Sequence, residues 1–149
     1  MGLKITLKPR EKMIVGSAVI SNSGSGECQI TVENNSTILR EKNIMREQEA
    51  TTPCQQLYFI IQLMYIDSEN LPVHQQTYWK LSRDITKAAP STYSLVDEII
   101  GLVSNQNYYK ALKSAQKLID YETELLNCFI SNSIKSQSAG TISSRMLRA

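Results

Sequence analysis

From Leu3 to Lys8 the chain alternates, with Leu3, Ile5 and Leu7 apolar and Lys4, Thr6 and Lys8 polar, the period-two signature of a half-buried strand. Met13 to Ile20 is apolar on both faces around Gly16, which predicts a single, more central strand. The loop chemistry of SNSGSG over 21–26 then predicts a hairpin into the next strand, where Cys28, Ile30 and Val32 alternate with Gln29, Thr31 and Glu33. The turn residues Asn34, Asn35 and Ser36 follow, and Thr37 to Arg40 makes a last short strand. Residues 3–40 therefore read as a small antiparallel sheet.

Past Met45 and Arg46 the period changes. Thr52-Pro53-Cys54-Gln55 places a hydroxyl N-cap, a proline at the first helical position and an amide at the third, which predicts a helix start. Leu57, Ile60, Ile61 and Met64 recur behind it at helical spacing. Asn70-Leu71-Pro72 opens a second helix with Tyr78, Leu81 and Ile85 on one face, and Ala89-Pro90 stops it. A third starts at Ser91 or Ser94 with Asp97 completing a capping box and runs through Ile99 and Leu102. The fourth starts at 105–107 and carries Leu112, Ala115, Ile119 and Leu126 on one stripe. From Ser131 the chain is polar and small. The predicted fold class is α+β: a small N-terminal antiparallel β-sheet over 1–46, a four-helix layer over 47–130 and a disordered basic tail over 131–149.

Charge is distributed unevenly over this plan. Residues 1–46 carry seven Lys or Arg against four Glu, residues 47–133 six basic against ten acidic side chains, and the last sixteen residues three basic and no acidic ones. The sheet is the basic part and the helical layer the acidic one, which points an anionic partner to the sheet. No stretch approaches the roughly 18 apolar residues of a membrane span and no targeting segment is recognisable, so a cytoplasmic protein without a membrane partner is expected. Cys28, Cys54 and Cys128 are odd in number and far apart, as reduced, buried small hydrophobes would be.

Catalytic chemistry has little to draw on. The single histidine, His74, falls near a helix start and reads as a surface residue, and no nucleophile is placed beside a base. There is no metal-binding spacing, no phosphate loop and no dinucleotide fingerprint. The expectation is a protein that is not an enzyme and needs no cofactor or metal. Tyr108-Tyr109 and Tyr78-Trp79 have the chemistry to stack on bases, but their helical setting reads as helix packing. The basic sheet positions differ, because Lys4, Lys8 and Lys12 lie near the first hairpin while Arg40 and Lys42 close the last strand. If the last strand lies beside the first, these side chains converge, with Thr6 and Gln29 or Thr31 as hydrogen-bonding neighbours. That is a surface suited to single-stranded RNA. The bland alternative is the solvated face of a half-buried sheet.

LKITLKPREKMIVG, ILREKNI, TP..QLYFIIQLMYID, AAPS and NYYKALK.A.KLI.YE.ELL together resemble the FlbT family of flagellum biosynthesis repressors over residues 1–127. The resemblance implies a cytoplasmic bacterial regulator acting after transcription, which associates with the 5′ untranslated leader of flagellin mRNA and lowers its translation or lifetime; in some members the effect is activating. The first 45 residues also resemble the small CsrA-type mRNA-binding proteins. They share an I/L-T strand, a glutamate four residues before an aliphatic-Gly pair (Glu11 and Val15-Gly16) and a strand ending in Arg-Glu before an isoleucine. In that family the first-strand polar residues and the terminal Arg-Glu meet RNA and two chains interleave into a dimer. Carried over by position, the RNA-facing residues are Thr6, Lys8, Arg40 and Glu41, and a homodimer through the sheet is implied. Leu7 and Leu39 depart from the pattern, standing where that family has a basic residue and commonly a histidine.

Two functions remain open at this point. One is an mRNA leader-binding translational regulator using Lys4, Thr6, Lys8, Lys12, Arg40, Glu41 and Lys42. The other is an adaptor or chaperone whose acidic helical layer binds another flagellar regulator or flagellin, with indirect effects on mRNA. For Arg40, which shares the face of Ile38, a buried ion pair within the sheet is the structural alternative.

Overall fold

A computed structural model describes residues 2–148, with side chains through residue 134. Five strands come first: β1 (Leu3–Leu7), β2 (Lys12–Val15), β3 (Ala18–Ser21), β4 (Cys28–Val32) and β5 (Ile38–Arg40). Four helices follow: α1 (Pro53–Ile66), α2 (Leu71–Ala88), α3 (Tyr93–Ser104) and α4 (Tyr108–Arg148). The predicted α+β order is the observed one.

The pairing is less local than the sequence suggests. Met13 to Ile20 is two strands, because Gly16 adopts φ +61° and lets Gly16-Ser17 close a two-residue hairpin in which Val15 faces Ala18. β3 then pairs with β2, and no ladder joins it to β4. The predicted hairpin at 21–26 is replaced by a loop that Asn22 fastens to β1, its Nδ2 donating to the carbonyls of Leu7, Lys8 and Gly26 at 3.1, 3.2 and 2.9 Å. The antiparallel strands thus form two ladders, β1–β4 and β3–β2–β5.

Alternation stacks these ladders into layers. Within the β2–β5 pair Ile14 stands opposite Leu39, and both join the helical core. The neighbouring positions Met13 and Ile38 point the other way and pack with Ile5 and Leu7 of β1. The three-stranded ladder is consequently apolar on both faces, between the helices and the small β1–β4 ladder. Leu7 and Leu39 are both buried, which is the physical reason that these positions are leucine and not basic.

α1 is the central helix, packing on α2 and α4, while α3 packs on α4. Its start is as the sequence predicts: Thr52 Oγ1 accepts from the Gln55 amide at 3.2 Å and the Gln55 carboxamide accepts from the Thr52 amide at 3.1 Å. Glu122 of α4 reinforces this end, accepting from the Thr52 hydroxyl and from the Cys54 amide. The third helix departs from expectation. Its N-cap is Thr92, without a capping box to Asp97, after a single turn over Pro90–Thr92. Its far end is a Schellman-type turn, with Gln106 at φ +59° donating to Val103 and Asn107 donating to Leu102, and this turn sets where α4 begins.

On α4, Leu112, Ala115 and Ile119 are buried as expected, but Leu126 is exposed. Glu122 is the last residue that ties this helix to the body among the described side chains, and Leu125, Phe129 and Ile130 beyond it are exposed as well. Residues 131–148, expected to belong to a tail, are instead the last turns of α4, with side chains from 135 on and residue 149 outside the described residues.

One set of contacts joins sheet to helices. Tyr58, Gln62 and Tyr65 lie on one face of α1 at spacings of four and three. The Tyr58 hydroxyl donates to the Asn43 carbonyl at 2.6 Å. The Gln62 side chain accepts from the Met45 amide at 2.7 Å and donates to the Met45 carbonyl at 3.0 Å. The Tyr65 hydroxyl accepts from the Ile38 amide at 3.1 Å and lies 3.2 Å from the Ile38 carbonyl. Residues 38–45 are thereby laced along α1.

Two substitutions test this account by reversible unfolding. Gln62→Leu keeps the bulk but orphans both backbone groups of Met45, and should cost about 2 kcal/mol. Tyr78→Phe should cost nothing or add up to about 1 kcal/mol, because the buried Tyr78 hydroxyl has no partner. A stable Gln62→Leu variant would mean that the lacing carries no load.

Candidate nucleic-acid interface

Between β1 and β5 lies a cleft of about 440 Å³. Alternation explains its lining: Leu39 turns toward the helices, so Ile38 and Arg40 turn toward β1. Lys4 reaches it from β1, Arg40 from β5 and Lys42 from the single helical turn Glu41–Asn43. Among the described residues, no carboxylate lines it. Asn43, Tyr65 and Tyr109 complete the wall on the helical side.

Arg40 is held from behind. Its Nη2 donates to the Thr6 carbonyl at 2.9 Å and to Glu11 Oε1 at 3.2 Å. The expected ion pair within the sheet is therefore present, but it is not a buried one, since the Arg40 side chain is 40% exposed. A pair this open contributes at most about 1 kcal/mol. Both bonds use the same nitrogen, and among the described residues no partner engages Nε or Nη1, so single donors of a guanidinium held in place remain for a ligand in the cleft.

The other sequence-predicted residues divide. Thr6 contributes its carbonyl to Arg40, and its side-chain face continues into Gln29 and Thr31, since the register sets Thr6 opposite Gln29 and Lys4 opposite Thr31. Lys12 and Glu41 line a different groove with Arg46 and Glu49, on the opposite side of the three-stranded ladder. There the Glu41 carboxylate accepts from the Lys12 amide at 3.1 Å, a structural task at the start of β2. Lys8 is exposed at the end of β1 and lines neither cavity. The structure thus unites Lys4, Arg40 and Lys42 and sets Lys8, Lys12 and Glu41 apart.

Sequence reasoning missed the helical contribution. Tyr109 reads as packing in the sequence but is 46% exposed and lines the cleft. The Lys113 ammonium lies 5.2 Å from the centre of its ring and also donates to Asn43 Oδ1 at 3.3 Å. Tyr108 turns the other way, half-buried, with its ring centre 6.3 Å from that of Tyr65. The one available signal was the spacing of Tyr109, Lys110 and Lys113, an aromatic among cations on a first helical turn. Burial, and then Tyr109, raise the Tyr58 hydroxyl above the usual phenol range, so it remains the proton donor that its bond to Asn43 requires.

The sequence profile described as flagellar protein FlbT matches residues 3–126. The chain belongs to the FlbT family. It is 41% identical over 125 residues to the probable flagellum biosynthesis repressor protein FlbT 1 of Bradyrhizobium diazoefficiens, covering 84% of this chain and 85% of that one. It is 34% identical to the flagellum biosynthesis repressor protein FlbT of Caulobacter vibrioides (85% and 90% covered). To the probable FlbT repressor of Rhodopseudomonas palustris strain TIE-1 it is 32% identical (85% and 99% covered). No solved structure matches. Among the described residues, no helix is long and apolar enough to cross a membrane.

Away from the cleft, His74 is not a free surface residue. Its Nε2 lies 3.0 Å from the Asp67 carboxylate, which Asn70, and then His74, hold below the usual carboxylate range. The cysteines also differ from one another: Cys54 is buried as expected, Cys28 half-buried and Cys128 exposed. Burial, and then the Glu122 carboxylate, push the Cys54 thiol up, so it stays protonated across the neutral range. A thiol-specific alkylating reagent at neutral pH should modify Cys128 quickly and Cys54 only after denaturation, as read by peptide mass spectrometry. Fast labelling of Cys54 in folded protein would contradict the tie between Glu122 and the start of α1.

Proposed function

We propose that this FlbT-family chain is a non-catalytic regulator of flagellum synthesis that binds single-stranded RNA of the flagellin mRNA leader in the β1–β5 cleft and lowers its translation or lifetime. One observation carries the reading: Lys4 of the first strand and Arg40 and Lys42 from the end of the fifth line one cleft that, among the described residues, has no carboxylate on its wall. Cations so gathered attract phosphates and release condensed counterions when a polyanion binds. The remaining Nε and Nη1 donors of Arg40, already oriented by Thr6 and Glu11, are suited to phosphate oxygens. The names of the relatives, flagellum biosynthesis repressors, agree with such a role. The cleft is complete within one chain, so a second copy is not needed to form it.

A second reading, an adaptor acting through the helices, is favoured by a different observation. Leu125, Leu126, Phe129 and Ile130 are all exposed on the far part of α4, away from the cations of the cleft. RNA titration separates the two readings.

Binding of purified protein to labelled flagellin leader RNA should weaken with salt, with a log–log slope of about −2 for three phosphates on a single strand. Lys42→Ala should flatten that slope by somewhat under one unit, while Arg40→Ala should weaken binding by about 1 to 3 kcal/mol and leave the fold intact. Leader binding that is absent at low salt would remove the RNA reading and leave the adaptor.

A further inference from the structure

Beyond phosphate contacts, the cleft has a component that charge does not explain. Tyr109 is the second residue of α4, placed by the turn in which Gln106 takes a left-handed conformation. Its side chain is 46% exposed, which leaves ring surface available to a ligand in the cleft. Tyr108, its neighbour, is packed inward, so the helix had an inward aromatic available and still presents a second one outward.

The surroundings of Tyr109 specify what would cover it. Lys4, Arg40 and Lys42 share its cleft, and Lys113 lies over its ring while being anchored to Asn43. A purely apolar partner would have to desolvate these cations, at a cost. A planar group attached to a phosphate chain suits both components at once: the plane lies on the ring and the phosphates meet the cations. The Tyr58–Asn43 bond and the Lys113–Asn43 bond fix the wall beside the ring, so its orientation is set before a ligand arrives.

We infer that Tyr109 is a stacking platform for one unpaired base, which takes the ring face opposite the one that Lys113 covers, so that the cleft selects single-stranded RNA over duplex. This rests on the RNA reading and deepens it. In a duplex each base is already stacked and its face is unavailable to a side chain entering from outside. Selection for single strands therefore follows from the aromatic platform and not from the cations, which meet phosphates in either form.

The test uses the full-length protein and a flagellin-leader oligonucleotide carrying 2-aminopurine, free or annealed to its complement. Wild type should bind the single strand more tightly than the duplex and quench the 2-aminopurine. Tyr109→Ala should weaken single-strand binding roughly five-fold to a hundred-fold, the range for losing one base–aromatic stack, and erase most of the preference over duplex. Tyr109→Phe, which keeps the ring, should bind within about two-fold of wild type. Tyr109→Leu, with apolar bulk and no ring, should behave like Tyr109→Ala, and thermal unfolding of each variant confirms that it is folded. Full affinity in folded Tyr109→Ala or Tyr109→Leu, or equal wild-type affinity for strand and duplex, would overturn the platform while leaving RNA binding in place. No binding of either form by wild type would overturn both.

Discussion

The arrangement depends on the lacing of residues 38–45 to α1. β5 is only three residues long and pairs on one side, with β2. A strand that short cannot hold its own position, and its outer edge has amide and carbonyl groups that must be satisfied. Tyr65 meets both groups of Ile38, Gln62 both groups of Met45, and Tyr58 the carbonyl between them at Asn43. The backbone from Ile38 to Met45 is thereby fixed by side chains one helical turn apart. Arg40 and Lys42 lie within this segment, so the geometry of the cleft is a consequence of the face of α1.

From that constraint the sorting of side chains follows. With β5 held, a two-residue period sends Leu39 into the helical core and Ile38 and Arg40 toward β1. A slip of one residue would reverse every one of these and bury the guanidinium. Leu39, almost fully buried opposite Ile14, is what forbids the slip. Glu11 and the Thr6 carbonyl then fix the rotamer of Arg40 from the far side. An exposed ion pair contributes little to stability, yet it removes conformational freedom that a ligand would otherwise have to restrict. Its value lies in orientation.

Local signals were legible in the sequence, and non-local ones were not. The start of α1 is written in Thr52-Pro53-Cys54-Gln55, and the start of α2 in Asn70-Leu71-Pro72, because caps and prolines act over a few residues. The β2–β3 hairpin was hidden, since Gly16-Ser17 sits inside an apolar run with no polar break. That error displaced the next pairing as well: β4 pairs with β1 across more than twenty residues, a choice set by where Leu7 and Ile5 are buried. The cations Lys4, Arg40 and Lys42 were recoverable from composition and spacing. Tyr65 and Tyr109 were not, because which aromatic of a helix faces the sheet depends on packing that periodicity alone leaves open. The CsrA-like pattern had the same limit: it does not foresee that one oxygen of the Glu41 carboxylate accepts from the Lys12 amide.

Charge counted by segment shows a similar gap between sequence and space. The helical part is net negative, which sets it against a polyanion. Its own cations are not spread evenly, however. Lys110, Lys113 and Lys117 are exposed on the first turns of α4, while Asp120, Glu122 and Glu124 follow them. The basic turns include the one that carries Tyr109 beside the cleft, and the acidic ones lead toward the exposed leucines. With screening over about 8 Å at physiological salt, a phosphate in the cleft responds to the nearby lysines far more than to carboxylates several turns along. α4 therefore extends the positive surface of the sheet at one end, and at the other its carboxylates repel a polyanion from the apolar stripe. Both halves of the chain contribute to the positive surface, and its boundary runs across α4, not between sheet and helices.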